Sequence, residues 1–314
     1  MNFLVTGGAG FIGSHLIEEL LAAEHRVTVI DNLSTGKYQN LMENFQSTSI
    51  DQLTFVESNA FSCDLEKLSS AYDGLVHLAA TPSVTQSWEQ PVAAHENNVS
   101  GTIAMIQICQ KLAIPRLVFA SSAAVYGNPC QVPISENELT TPISPYGLQK
   151  LSSEQYITLF SKHLGISSVN LRLFNVFGLR QDPKSPYSGV ISIFAKAMSQ
   201  GMPIFINGDG SQTRDFICVK DVAIAFAKAL TLPLPSGTTL TCNIGSGQAI
   251  SLLQLIEELR NCFPEWTAGT SFNSPRLGDI QHSQADVTRA KQYLAFEPRF
   301  TIRDGLMVLR KALN

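Results

Sequence analysis

The sequence predicts an α/β protein: a doubly wound parallel sheet carrying a smaller C-terminal α+β lobe. Two observations carry this. Short apolar runs alternate with helical stretches over the first 175 residues, and a glycine-rich turn joins the first run to the first helix. The runs are continuous in hydrophobicity, as strands covered on both faces require. Regular alternation of strand and helix then implies parallel strands joined by crossovers.

Phe3–Thr6 is the first strand and runs into Gly7-Gly8-Ala9-Gly10-Phe11-Ile12-Gly13. Read from Gly8, the turn fits G-x-G-x-x-G. Missing Cβ atoms let the backbone turn sharply and approach a pyrophosphate, whose charge meets the N-terminus of the helix around 13–23. Such a match is weakly specific alone, but here strand, turn and helix stand in the right order. Val27–Asp31 follows as a second strand ending in a carboxylate. Asp31 stands about 20 residues past the turn, where a carboxylate accepts hydrogen bonds from an adenosine ribose and repels the extra phosphate of NADP. The cofactor expected is therefore NAD, with Lys37 close enough to soften the exclusion. The bland alternative makes Asp31 a turn residue ending a strand.

Leu53–Val56, Leu75–Leu78, Leu117–Ser121 and Ser168–Phe174 complete the strands of a Rossmann-type sheet, with amphipathic segments around 90–113 and 146–164 between them. After about 175 the texture changes, and Pro183, Pro186, Gly189, Gly201, Pro203, Gly208 and Gly210 punctuate short elements. We read 1–175 as the cofactor domain and 176–314 as the substrate lobe, interleaved where segments after 175 return to the first. Ligands of open α/β sheets sit outside the carboxyl ends of the strands, so the lobes should enclose a cleft.

Ser144-Pro145-Tyr146 opens the helix around 146–164, and Lys150 lies one turn beyond Tyr146 on the same face. A tyrosine is a poor base at neutral pH, and a nearby ammonium, with the positive nicotinamide ring above it, is expected to favour its phenolate and lower its pKa. Bare Y-x-x-x-K is common by chance. Ser122 raises its value, because it stands at the carboxyl end of a predicted strand, where a hydroxyl can share a substrate's proton. Ser122, Tyr146 and Lys150 are the candidate catalytic residues for chemistry on an alcohol.

Bulk composition sets limits. A net charge of −4 and scattered basic residues give no reason to expect nucleic acid or an anionic membrane as partner. No apolar run approaches the roughly 18 residues a membrane span needs. The six cysteines form no C-x-x-C pair and have no His cluster beside them, which points to reduced thiols, no metal site and a cytoplasmic enzyme.

The ordered motifs resemble the extended short-chain dehydrogenase/reductase family, and within it the nucleotide-sugar 4-epimerases acting on UDP-hexoses or UDP-N-acetylhexosamines. The resemblance covers nearly the whole chain. It rests on Gly7–Gly13, the run from Asp31 to Gly36, His77–Ala80, Ser121–Gly127, Ser144–Gly147 with Lys150, Phe174–Gly178, Gly208–Phe216 and Arg276–Asp279. It implies that Gly7, Gly10, Phe11, Ile12, Gly13, Asp31, Asn32, Ala60, Leu78, Ala79, Ala80, Asn97, Tyr146, Lys150 and Phe174 line NAD. Asn59 would meet the adenine, although the family often has Gly-Asp where this chain has Ser58-Asn59.

On the substrate side the resemblance implies Asn175, Val190, Arg214, Arg276 and Asp279 around a nucleoside diphosphate, with Ser122 and Tyr146 at the sugar. Guanidinium groups fork onto diphosphate oxygens, which suits both arginines. Arg214 reads as a loop residue ahead of a strand at Phe216–Val219. Ser283 matches a position that resembles the gate of the hexose pocket, with Ser83 beside it. A small side chain there leaves room for a 2-acetamido group, so UDP-N-acetylglucosamine and UDP-N-acetylgalactosamine are the expected pair, with UDP-glucose and UDP-galactose also considered. The resemblance further implies transient oxidation at C4 and a homodimer built on a four-helix bundle from segments near 98–113 and 147–163.

Two alternatives stand beside this. Nucleotide-sugar 4,6-dehydratases and decarboxylases of the same family need an added acid after the serine, where this chain has Ala123 and Ala124. A non-catalytic NAD-binding redox sensor would keep the glycine turn but have no use for Ser122, Tyr146 and Lys150 together.

Overall fold

In the computed structural model, which describes residues 1–42, 50–68, 71–182, 189–275 and 280–313, seven parallel strands form the central sheet. Among the described residues the strands of this sheet and of two smaller ones are, in chain order, β1 (Asn2–Thr6), β2 (Arg26–Asp31), β3 (Leu53–Glu57), β4 (Gly74–His77), β5 (Arg116–Ser122), β6 (Ser167–Leu173), β7 (Asn175–Phe177), β8 (Ile204–Asn207), β9 (Thr213–Cys218), β10 (Thr239–Ile244), β11 (Ala249–Ser251) and β12 (Thr270–Asn273). The helices are α1 (Phe11–Ala22), α2 (Gln39–Met42), α3 (Val84–Glu89), α4 (Pro91–His95), α5 (Gly101–Lys111), α6 (Pro145–Leu164), α7 (Val190–Ser199), α8 (Val219–Thr231), α9 (Leu252–Cys262), α10 (Thr288–Leu294) and α11 (Ile302–Leu313).

The sheet order is β10-β6-β5-β4-β1-β2-β3. The chain therefore winds outward from β1 to β3, then reverses through β4, β5 and β6. The reversal opens a crevice at the carboxyl ends of β1 and β4. Apolar residues cover both faces: Leu16, Leu20, Val222 and Phe226 from α1 and α8 on one side, Met105, Ile106, Ile108 and Ile157 from α5 and α6 on the other. The six strands read from sequence are all present, which is the parallel α/β fold expected.

The seventh strand, β10, comes from beyond residue 175 and pairs with β6 through Thr239↔Ser168 to Ile244↔Leu173. Its outer half, Thr239–Thr241, is polar and half-buried because it lies at the sheet edge, and this hid it from a search for continuous apolar runs. A second core gathers Phe177, Phe194, Ile206, Leu255 and Leu306 around two small sheets, β11-β9-β7 and β12-β8.

Local chemistry sets the helix entries that matter below. The Ser144 hydroxyl accepts the Gly147 N–H at 3.1 Å, and Pro145 takes the first turn of α6, where its missing N–H costs nothing. Gly165 ends α6 in the left-handed conformation. The amphipathic segment expected around 90–113 is helical from Pro91 to Lys111, and a π-helical turn, Glu96–Ser100, joins α4 to α5. It buries Asn98, whose Oδ1 accepts the Thr81 N–H at 2.7 Å and whose Nδ2 donates to Gln149 at 2.7 Å. The inserted residue thus ties the loop after β4 to α6.

Candidate active site

The glycine turn is shaped by close approach. Gly7 has φ +72°, and a Cβ there would lie 2.7 Å from the Ala79 nitrogen. A Cβ on Gly13 would stand 2.2 Å from the Gly7 carbonyl oxygen. Both positions are closed to any larger residue. Gly10 caps α1 without a side chain, so the first-turn N–H groups around Phe11 and Ile12 face an open cradle suited to an anion. The residues present fit a dinucleotide pyrophosphate.

Asp31 ends β2 at 8% exposure. Its Oδ2 accepts the Ala9 N–H at 3.0 Å and its Oδ1 the Leu33 N–H at 2.8 Å. The carboxylate braces the glycine turn and still has lone pairs for ribose hydroxyls. Burial raises its pKa, and the two backbone donors oppose that rise. Asn32 Nδ2 donates to Asn59 Oδ1 at 2.5 Å, which joins the ends of β2 and β3, with Ala60 next in the chain. Lys37 pairs with Asp182 at 3.8 Å on the surface. At the end of β4, Leu78, Ala79 and Ala80 line the crevice edge and are half-buried. Asn97 is exposed and donates to the Thr81 hydroxyl at 3.0 Å.

The chemical centre lies where α6 meets the end of β5. The Ser122 hydroxyl stands near enough to the Tyr146 phenol to lower its pKa, and the Lys150 Nζ donates to the Ala120 carbonyl at 2.7 Å. Nζ lies 5.9 Å from the Tyr146 ring centre and 4.8 Å from that of Phe119. Burial pulls the Lys150 ammonium down to about 8, and Glu154 pushes it back up. The expected lowering of the Tyr146 pKa is corrected here. Burial raises it, and only the Ser122 hydroxyl works in the other direction. The reason is geometric: Nζ is aimed at a β5 carbonyl rather than at the phenol.

His77, beneath the pair on β4, shares a 2.8 Å hydrogen bond with Thr6 through Nδ1. Burial chiefly, and Lys150 secondarily, push its pKa down to about 3, so it is neutral. Ser87, which sequence reasoning missed, holds the entry to α6 by accepting the Tyr146 backbone N–H at 3.0 Å. Its partner is 59 residues away, so no local motif signals it.

On the other side of the cleft, Phe174 is buried and its N–H donates to the Ile244 carbonyl at 2.9 Å. Asn175 is exposed on β7, and Val190 opens α7. Arg214 is not a loop residue as expected. It lies on β9 opposite Ile250 of β11, with Nη1 donating to the Thr213 carbonyl at 2.9 Å. The strand starts at Thr213 because Asp215, buried between polar neighbours, is satisfied by the N–H groups of Ser246, Gly247 and Ala285 and by the Ser246 hydroxyl. Ser283 is 6% exposed, and its N–H donates to the Thr213 carbonyl at 3.2 Å, which brings it beside Arg214. The Ser83 hydroxyl caps α3 by accepting the Gln86 N–H at 2.9 Å. Arg276 and Asp279 lie outside the described residues.

The NAD dependent epimerase/dehydratase family matches residues 3–245. A putative UDP-glucose 4-epimerase of Methanocaldococcus jannaschii is 37% identical over 306 residues, covering 96% of this chain and 95% of that protein. Among solved structures, a UDP-N-acetylglucosamine 4-epimerase from Methanobrevibacter ruminantium in complex with UDP-N-acetylmuramic acid superposes with a TM-score of 0.92 at 36% identity, over 99% of this chain and 97% of that one. A UDP-glucuronic acid 4-epimerase from Bacillus cereus, in complex with UDP-glucuronic acid and NAD, gives 0.89 at 31% identity over 100% and 99%.

Proposed function

Because the chain belongs to the NAD dependent epimerase/dehydratase family, we propose that this NAD-dependent UDP-sugar 4-epimerase, an isomerase, interconverts UDP-N-acetylglucosamine and UDP-N-acetylgalactosamine. The observation that carries the chemistry is the meeting of Tyr146 and Lys150, one turn apart on α6, with Ser122 at the end of β5, to which Lys150 is tied through Ala120. NAD held by the glycine turn and Asp31 would supply the hydride acceptor and donor that the C4 carbon needs. Tyr146 takes the proton of the C4 hydroxyl and later returns it to the same oxygen, once hydride has re-added to C4 from the opposite face. Ser122 holds the same oxygen, so proton and hydroxyl stay aligned as the bond order changes. Between the two proton transfers the keto sugar turns about its diphosphate bonds. The Ala123 and Ala124 side chains carry no acid, so elimination of water or handling of a carboxylate has no agent there.

We place NAD against Gly7, Gly10, Phe11, Ile12 and Gly13, with Asp31, Asn32 and Asn59 toward its adenosine and Leu78–Ala80, Asn97, Lys150 and Phe174 toward its nicotinamide. We place the diphosphate by Asn175, Val190, Arg214, Arg276 and Asp279.

The small, buried Ser283 supports the N-acetylated pair. Separate incubations with UDP-N-acetylglucosamine and UDP-glucose, followed by NMR of the anomeric protons, test this. Conversion of the acetylated sugar is expected, and turnover of UDP-glucose alone would defeat it. We also propose a cytoplasmic homodimer packed through α5 and α6. Leu148, Tyr156 and Leu159 are exposed on α6, Leu159 at 70%, and such a row suits burial against a second copy. Light scattering at the mass of one chain would refute it.

A further inference from the structure

Three consecutive residues at the end of β5 each hold one residue of α6. Ala120 accepts from Lys150 through its carbonyl, the Ser121 hydroxyl donates to Glu154 Oε1, and the Ser122 hydroxyl stands by the Tyr146 phenol and lowers its pKa. Tyr146, Lys150 and Glu154 are successive turns of one helix face. The first two are assigned to the reaction; Glu154 is not.

Glu154 is 5% exposed and fully engaged. Arg172 on β6 forks onto it, Nε to Oε1 at 2.9 Å and Nη2 to Oε2 at 2.7 Å. Arg172 Nη1 donates to the Tyr126 hydroxyl at 3.0 Å, which donates to Asn243 Oδ1 at 2.6 Å. Asn243 Nδ2 then donates to the Ile134 carbonyl at 2.8 Å. The carboxylate is thus anchored across β6 and β10, and a buried, fully paired ion pair of this kind has little freedom to shift.

Resting on the epimerase reading above, we infer that Glu154 is a positioning residue: its ties to Ser121 and Arg172 fix the rotation of α6 on β5, and with it the place of Tyr146 and Lys150. A small rotation of α6 would carry the Tyr146 phenol away from Ser122 before it unfolded anything. The charges support the same role. Glu154 on α6 is the anion that favours the Lys150 ammonium. The other titratable groups facing Lys150 are Tyr146 on α6 and the neutral His77 on β4. Ala120 and Phe119 of β5 contribute no charge.

Glu154→Gln keeps the shape but removes an anion and leaves the Arg172 cation uncompensated. Both changes ease proton loss from Lys150, while a turned α6 takes the phenol away from the Ser122 hydroxyl that lowers its pKa. The Tyr146 phenolate is read by ultraviolet absorbance against pH on the NAD-loaded protein, with matched Tyr146→Phe variants subtracted. Its midpoint should rise by at least about half a pH unit, which the loss of an anion without a change in position would not produce. Ser121→Ala leaves the ion pair whole and cuts only the strand tie; kcat should drop about three- to tenfold with KM and NAD content unchanged. A Glu154→Gln midpoint equal to or below the parent's, or an unchanged kcat in Ser121→Ala, overturns the inference. If Glu154→Gln fails to fold, Ser121→Ala decides alone. The titration needs no substrate, so a protein that turned over no UDP-sugar would sink the epimerase reading and leave the titration to judge Glu154.

Discussion

The two sides of the cleft are built in opposite ways. On the cofactor side, contacts run between neighbouring strand ends: Gly7 lies against Ala79, Asp31 accepts from Ala9, and Thr6 bonds His77. On the substrate side, pieces distant in sequence are pinned to one strand. Asp215 of β9 gathers the Ser246 turn and Ala285, while Thr213 holds Ser283. The first construction depends on residues with almost no alternatives. The second tolerates exchange of side chains around a fixed hub, which is how one fold serves many sugars.

The largest effect that sharpens this contrast is at Tyr146. Tyr146→Phe should lower kcat about a thousandfold while NAD stays bound, as measured by turnover and by the absorbance of released cofactor. Turnover near the parent's level would remove Tyr146 from the reaction. Next in size is Gly13→Ala on the cofactor side. Its Cβ would meet the Gly7 oxygen at 2.2 Å, so a loss of about 1–3 kcal/mol in denaturant melts is expected, together with reduced NAD content.

Ser283→Tyr is the matching change on the substrate side. It should leave NAD content intact and reduce kcat/KM for the N-acetylated sugar at least about tenfold relative to UDP-glucose. Equal losses for both sugars would mean that Ser283 does not gate the pocket. The smallest effect concerns pH. Lys150 is charged below about 8 and neutral above it, and its charge-assisted bond to the Ala120 carbonyl, which holds α6 on β5, weakens as that proton leaves. Turnover should therefore decline as pH rises through about 8; a flat profile to pH 10 would argue against the ammonium's role.

What was legible in the sequence follows from the same contrast. The strands from β1 to β6 and the glycine turn announce themselves, because a strand buried on both faces must be apolar throughout and a tight turn must be glycine. That Tyr146, Lys150 and Ser122 come together could be read from helix spacing and strand ends. β10 could not, since its edge half is polar, and Ser87 could not, since it reaches Tyr146 across 59 residues. Arg214 was misplaced because the apolar run starts at Phe216, whereas the strand starts where Thr213 pairs with Ser251. The direction of the Tyr146 shift was misread because spacing shows that Lys150 is near, not that its Nζ is turned to Ala120.

The central claim is that hydride leaves and returns at one sugar carbon beside the Tyr146 hydroxyl. UDP-N-acetylglucosamine deuterated at C4 tests it directly, with products followed by NMR and mass spectrometry. The account predicts the 4-epimer with the deuterium still at C4 and the mass unchanged. Loss of water from the product, washout of the label to solvent, or no change at C4 would contradict it.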